Sequence, residues 1–287
     1  MLRSLLTFII ISSLLTGCAS AVNGVKQQEV VKKEEKMTVE TITEKMMDSM
    51  KKARGYALET DLDMAISPID DYEPLMEAKV NMQQDVADGN YYLNYEMEGA
   101  TIDGNISQRM EMYKNENAMF MYLPMEERWG KLPYNQDFMN QLTHGATVKG
   151  ILQKIVRITK LKEDVSFTED DSYFIIEFRT QDEKVLSELA QKDIQALPNN
   201  QLKNEGIQFD DMSMYLWIDK NSYRLTRQKV LLKATLIEAD NSLQTNKKLN
   251  FDFNSITEFK NEIHDVAIPK EVLEAETIEM PLVSDSL

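Results

Sequence analysis

The chain has 287 residues, with 48 acidic against 32 basic side chains, a formal net charge of -16, two histidines and one cysteine. A surface this acidic repels nucleic acid phosphates and anionic lipid headgroups, so neither is expected as an electrostatic partner. One cysteine excludes an internal disulfide, and a chain this long can build an apolar core that needs none.

The N-terminal segment carries one positive charge, Arg3, and an apolar run from Leu5 to Leu15 broken only by Thr7, Ser12 and Ser13. A membrane-crossing helix needs roughly 20 apolar residues, and this run is about half that. It reads as the core of a signal peptide. The run closes on Leu15-Thr16-Gly17-Cys18, which resembles the lipobox of bacterial lipoproteins. The resemblance implies cleavage just before Cys18 and a diacylglyceryl group on its thiol. Two acyl chains hold a protein on a membrane where one is marginal. A plain secretory signal with a stray or buried thiol is the alternative. The order of charge, apolar run, small residues and cysteine favours lipidation. Residues 19–36 are polar, charged and too poor in apolar surface to offset chain entropy, so they read as a disordered tether. The expected division is signal peptide over 1–17, lipidated cysteine and tether over 18–37, and one domain over 38–287. The Lys, Asn, Glu and Met bias suits a Gram-positive exporter, which puts the domain on the extracytoplasmic face of the cell membrane.

Thr38 or Thr41 can cap a first helix, with capping-box spacing from Thr41 to Glu44. Ile42, Met46, Met50 and Ala53 then share one face, and Gly55 is placed to end the helix. At Tyr56 the period falls to 2. Tyr56, Leu58, Thr60, Leu62, Met64 and Ile66 alternate with acidic residues, as in a strand with one wet and one covered face. The pattern repeats through Met76, Ala78, Val80 and Met82, then Tyr91, Leu93, Tyr95 and Met97. Ile102, Ile106, Met110 and Met112 follow, then Met119, Met121 and Leu123, and a short strand over 128–133. Short turns join them, which means antiparallel pairing, since parallel strands need long crossovers.

Helical spacing returns over 137–142 and, more strongly, from Val148 to near Leu161. A hairpin through Val165 and Phe167 turns at Glu169-Asp170-Asp171 and returns through Phe174, Ile176 and Phe178. Asp182 can cap a third helix, stopped at Pro198. Strands through Met212 to Ile218, Val230 to Leu236, Leu249 to Phe253 and Ile263 to Ile268 close the set. Roughly ten or eleven such strands cannot lie flat, because twist curls so wide a sheet. The expected fold is α+β: a curved antiparallel half-barrel with helices on its concave side.

Several segments resemble a family of Gram-positive lipoproteins of unassigned function. They are the helix followed by Met-rich strands, the run from Met119 to Pro133, the hairpin from Tyr215 to Tyr223 and the ending from Val266 to Leu273. That family is similar in architecture to the LolA and LppX lipoprotein carriers, which hold acyl chains inside an unclosed barrel. The resemblance implies a fold, but its motifs are turns and strand ends and transfer no ligand-contacting residue.

Signals for chemistry are weak. His144 and His264 have no acidic residue at helical metal spacing. The doublets Asp70-Asp71, Asp170-Asp171 and Asp210-Asp211 lack the graded spacing of a calcium loop and read as solvated turns. Neither a Gly-rich phosphate loop nor Gly-x-Ser-x-Gly occurs. No enzyme, cofactor or metal is expected, and the protein reads as a monomer. The methionines stand out. Leu62, Met64, Val80, Met82, Leu93, Met97, Met110, Met112, Met212 and Met214 are the candidate lining of a hydrophobic cavity, since methionine adapts to varied ligand shapes. The plainer reading is that they fill the core. The sequence thus points to a tethered lipoprotein that binds a lipid acyl chain. The rival is an interaction module held near a membrane protein, and a solute receptor comes third.

Overall fold

The computed structural model describes residues 37–68, 76–85, 89–101, 104–133, 148–161, 164–187, 189, 207–240, 245–263 and 265–278. Cys18, both histidines, Asp70-Asp71 and the helix expected over 137–142 lie outside them. Helix α1 (Val39–Met50) precedes six strands: β1 (Gly55–Pro68), β2 (Met76–Asp85), β3 (Tyr91–Thr101), β4 (Gly104–Lys114), β5 (Ala118–Leu123) and β6 (Arg128–Pro133). Helix α2 (Val148–Ile158) leads into β7 (Val165–Glu169), β8 (Tyr173–Thr180), β9 (Ile207–Asp219), β10 (Leu225–Asp240) and β11 (Thr245–Glu262). The short helix α3 (Lys270–Leu273) and the two-residue β12 (Glu276–Thr277) end the described chain.

All twelve strands form one sheet in the order β12-β6-β5-β4-β3-β2-β1-β11-β10-β9-β8-β7. Two antiparallel meanders, β1 to β6 and β7 to β11, meet where β1 pairs with β11. The sheet is curled and does not close, because its end strands β12 and β7 do not meet. This open half-barrel is the arrangement implied by the resemblance to the LolA and LppX carriers.

Helices α1 and α2 cover one face. Ile42, Met46 and Met50 of α1 and Val148, Ile151, Leu152, Ile155 and Ile158 of α2 join a single core with the inward strand residues. Helix α2 is enclosed on most sides, with Gly150 and Lys154 also buried. Burying its apolar side chains contributes about 1.5–3 kcal/mol each, which is what holds so large a sheet together without disulfides. Asp182 caps a third helical stretch, its carboxylate accepting from the backbone N–H groups of Lys184 and Val185 at 2.9 and 3.1 Å; residues 183–187 are helical.

One open alternative is resolved and two local expectations need correction. Thr38, not Thr41, is the N-cap of α1: its hydroxyl accepts from the Thr41 N–H at 3.2 Å. Gly55 does not end the helix, which stops at Met50 with Lys51 as its C-cap. It begins β1, where a β-carbon would meet the Gln84 carbonyl oxygen at 2.7 Å and the Ile263 carbonyl oxygen at 2.9 Å. Close approach of three backbone segments is the reason for glycine there.

The second correction concerns the end of the described chain. Ile263 to Ile268 is not a strand; β11 stops at Glu262 and residues 265–269 have no regular structure. Ile268 packs instead on the outer face. Val272 is buried with Ala118 and Phe120, and Ile268, Ala275, Tyr113 and Trp129 pack around them. Consecutive β5 residues Met119 and Phe120 are both buried, one in each core, so β5 is covered on both faces. One helix, α3, therefore lies outside the curl. β12 then pairs in parallel with β6 through Glu276–Gly130 and Thr277–Lys131, sealing that edge.

Two acidic turn residues are fully engaged. Asp170 accepts from the N–H groups of Ser172 and Tyr173 at 2.8 and 2.7 Å. Asp219 accepts from the Ser222 N–H at 2.7 Å, the Ser222 hydroxyl at 2.8 Å and the Asn221 N–H at 3.1 Å. These donors, the backbone N–H of Ser222 foremost, hold the Asp219 carboxyl below its ordinary value of 3.8. A carboxyl lowered by folding stabilises above its unfolded pKa, and that contribution disappears as pH falls through the folded one. Asp219→Asn is therefore expected to flatten the fall in melting temperature below about pH 4, measured against wild type.

Candidate ligand cleft

The inward face of β1 to β4 is laid out in rungs of directly opposed residues. Leu58, Met82, Leu93 and Met112 form one, Thr60, Val80, Tyr95 and Met110 the next, and Leu62 and Met97 belong to a third. Across the β1–β11 seam the wall continues through Phe251, Phe253 and Leu232 to Met212 and Met214. Of the expected cavity residues, Leu62, Met82, Leu93, Met97, Met112, Met212 and Met214 are all buried in this one core. Val80 and Met110 are partly buried and pack against it. Met64 lies on β1, and its side chain is outside the described residues. The methionine wall is thus contiguous, and it is packed.

Two of these methionines serve as acceptors for buried polar groups. The Tyr95 hydroxyl donates to Met97 Sδ at 3.0 Å, and Gln228 Nε2 to Met214 Sδ at 3.4 Å. A leucine of equal volume has no such acceptor. Burial pushes the Tyr95 hydroxyl up to about 12. Nearby, the Thr60 and Thr257 hydroxyls bond to each other at 3.0 Å.

Open space adjoins this core at the other end of the sheet. Among the described residues no strand pairs with the far side of β7. Between that bare edge and the start of α1 lies a cleft of about 350 Å³, lined by Met37, Thr38, Val39, Glu40, Thr159, Val165, Ser166 and Phe167. Its volume is at the lower end of the range of roughly 300–1,000 Å³ for small-molecule sites. Met37, Val39, Val165 and Phe167 pack on the same core as the methionine wall. The cleft is therefore a mouth on that core. Its threonine hydroxyls are already occupied: Thr38 accepts from the Thr41 N–H, and Thr159 donates to the Ile155 carbonyl at 3.0 Å. What the cleft offers a ligand is chiefly apolar contact.

None of the ten expected cavity residues lines this cleft. Its own lining comes from the helix start and the edge strand. The alternation of Val165 and Phe167 marked a strand, but nothing local marks a strand as the last of its sheet.

A model of a family of unknown function, DUF6612, matches residues 38–277. The chain belongs to that family. This DUF6612 member matches no curated protein. Among solved structures it is similar to LprF from Mycobacterium bovis, at 11% identity over 82% of this chain and 97% of that one, with a TM-score of 0.41. It is also similar to a DUF1329 family protein from Desulfovibrio piger, at 9% identity, covering 80% and 95%, TM-score 0.25. A third is lipovitellin, from a structure concerned with its lipid–protein interactions, at 7% identity, covering 76% and 26%, TM-score 0.35.

Proposed function

We propose that this protein is a lipid-anchored extracytoplasmic lipoprotein. It holds the acyl chain of a lipid, or of a lipid-linked glycan, against its open sheet. The observation that carries the reading is the apolar cleft between α1 and the bare edge of β7, opening on the methionine core. Each methylene taken from water contributes about 0.8 kcal/mol, so a chain of several is held without any charged contact. Methionine side chains behind the cleft can repack around chains of different shape.

Phe167→Lys tests the site, because Phe167 sits at the edge and is only partly buried. The variant is expected to fold and to lose about tenfold or more in affinity for a fluorescent acyl probe, followed by titration. Unchanged probe binding would place the ligand elsewhere. The anchor has a separate test: Cys18→Ser should appear in the culture medium or stay unprocessed. Processed protein still on the membrane would contradict lipidation.

A second reading, an interaction module acting through its outer surface, draws on the opposite face. There Tyr92, Tyr113, Trp129 and Tyr122 stand ring against ring with centroids between 4.7 and 5.5 Å apart. Protein that binds no acyl probe at all would favour that reading.

A further inference from the structure

The outer face of the sheet carries the row of rings Tyr92, Tyr113, Trp129 and Tyr122, on β3, β4, β6 and β5. All four are half-buried. The two large apolar side chains that stand exposed among the described residues border this row. Met125 is fully exposed in the turn that joins Tyr122 to its partner Trp129. Leu273 is 48% exposed on α3, next to Val272, whose cluster takes in Tyr113 and Trp129. Elsewhere the chain covers its rings with its own cations. Among the described residues Lys45 stands over Tyr223 at 5.1 Å from the ring centre, Lys220 over Phe174 at 5.3 Å and Arg227 over Trp217 at 5.1 Å. No described cation stands over the row of four. Glu96 and Glu111 hold Arg109 at 3.6 and 3.8 Å, Glu126 and Glu276 hold Arg128 at 2.6 and 3.6 Å, and Lys131 is in register with Phe120 and Thr277.

Two exposed carboxylates at the margins of the row, Glu127 in the turn and Glu271 on α3, have no ion pair among the described residues. Glu271 is close enough to act on the row: after burial, the Glu111 and Glu271 carboxylates raise the Tyr113 hydroxyl above its ordinary value. The negative face of an aromatic ring attracts a cation within about 6 Å, and adjacent carboxylates add to that pull. Tyrosine, tryptophan and methionine are also the residues enriched where proteins meet. An anionic membrane fits poorly, because the free carboxylates repel its headgroups. We infer that this row is the docking face for a basic segment of another protein, which sets lysine or arginine side chains over the rings and apolar side chains against Met125 and Leu273. This rests on the interaction-module reading above for the face it uses, adds the chemistry of the partner, and is independent of what the cleft holds.

The test titrates a short peptide of alternating lysine and leucine into the full-length mature protein carrying Trp217→Phe, which leaves Trp129 as its one tryptophan and fluorescent reporter. A glutamate–leucine peptide of the same length and a neutral chitooligosaccharide run in parallel. The lysine–leucine peptide should change the Trp129 emission saturably and bind about tenfold more tightly than the glutamate–leucine peptide. Tyr122→Ala should weaken that binding about tenfold and Glu271→Gln about threefold. Glu271 is exposed, so its variant is expected to fold. Affinity for an acyl probe should be the same in both variants. Equal or tighter binding of the glutamate–leucine peptide would overturn the basic partner and keep the row as a protein-docking face. Tighter binding of the oligosaccharide would overturn both. An unchanged Trp129 emission with the lysine–leucine peptide, or an affinity that survives in both variants, would overturn the inference as well.

Discussion

Met112→Lys is expected to remove about 3–5 kcal/mol of stability, a large part of what holds the domain folded. Met112 is fully buried, between Leu93 on one side and Met121 on the other. Its flanking rungs offer Tyr95 and Met110 in one direction and Tyr91 and Lys114 in the other. An ammonium placed there has no carboxylate opposite it in the register and an existing lysine one rung away. An uncompensated buried charge costs about 3–5 kcal/mol, against a total stability of about 5–15 kcal/mol for a typical domain. Met112→Leu keeps volume and apolarity and should cost less than about 1.5 kcal/mol. Urea denaturation of the two variants separates the outcomes. A Met112→Lys protein as stable as Met112→Leu would mean that this part of the wall faces open space.

The second large effect is at Gly55. Had Gly55 ended the helix in a left-handed conformation, asparagine would replace it at little cost. In the structure a β-carbon there would stand 2.7 Å from the Gln84 carbonyl oxygen and 2.9 Å from both the carbonyl oxygen and Cγ1 of Ile263. Two of these three contacts are backbone atoms of neighbouring segments, which cannot yield without opening the β1–β2 pairing or the Ile263–Gly55 hydrogen bond at 3.3 Å. Gly55→Asn and Gly55→Ala are both expected to destabilise by about 1–3 kcal/mol. Equal melting temperatures for wild type and Gly55→Asn would restore the helix-ending role.

Most of the sheet is legible in the chain because each strand has one buried face. Tyr91, Leu93, Tyr95 and Met97 alternate with Tyr92, Asn94 and Glu96, and in the folded strand the first set is buried. Misreadings occur where a local pattern has a non-local cause. Ile268 is apolar because it packs on the outer-face cluster of Ala118, Phe120 and Val272, and not because it pairs with a strand. Phe120 reads as a wet-face residue of β5 until α3 is seen to cover it.

The candidate site was harder to read for the same reason. Methionine spacing marks the inward side of the strands, but spacing alone does not distinguish a packed wall from a lined cavity. Whether room remains depends on how α1 and α2 seat against it. The cleft exists because β7 has a neighbour on one side only. Val165 and Phe167 carry no mark of that.

The most direct test of acyl-chain binding is a native mass spectrum of the full-length protein extracted from its own membranes in mild detergent. The account predicts a second mass series above that of the anchored chain, which collapses on collisional activation to release a lipid. A spectrum showing the anchored chain alone, with no releasable lipid, would contradict it.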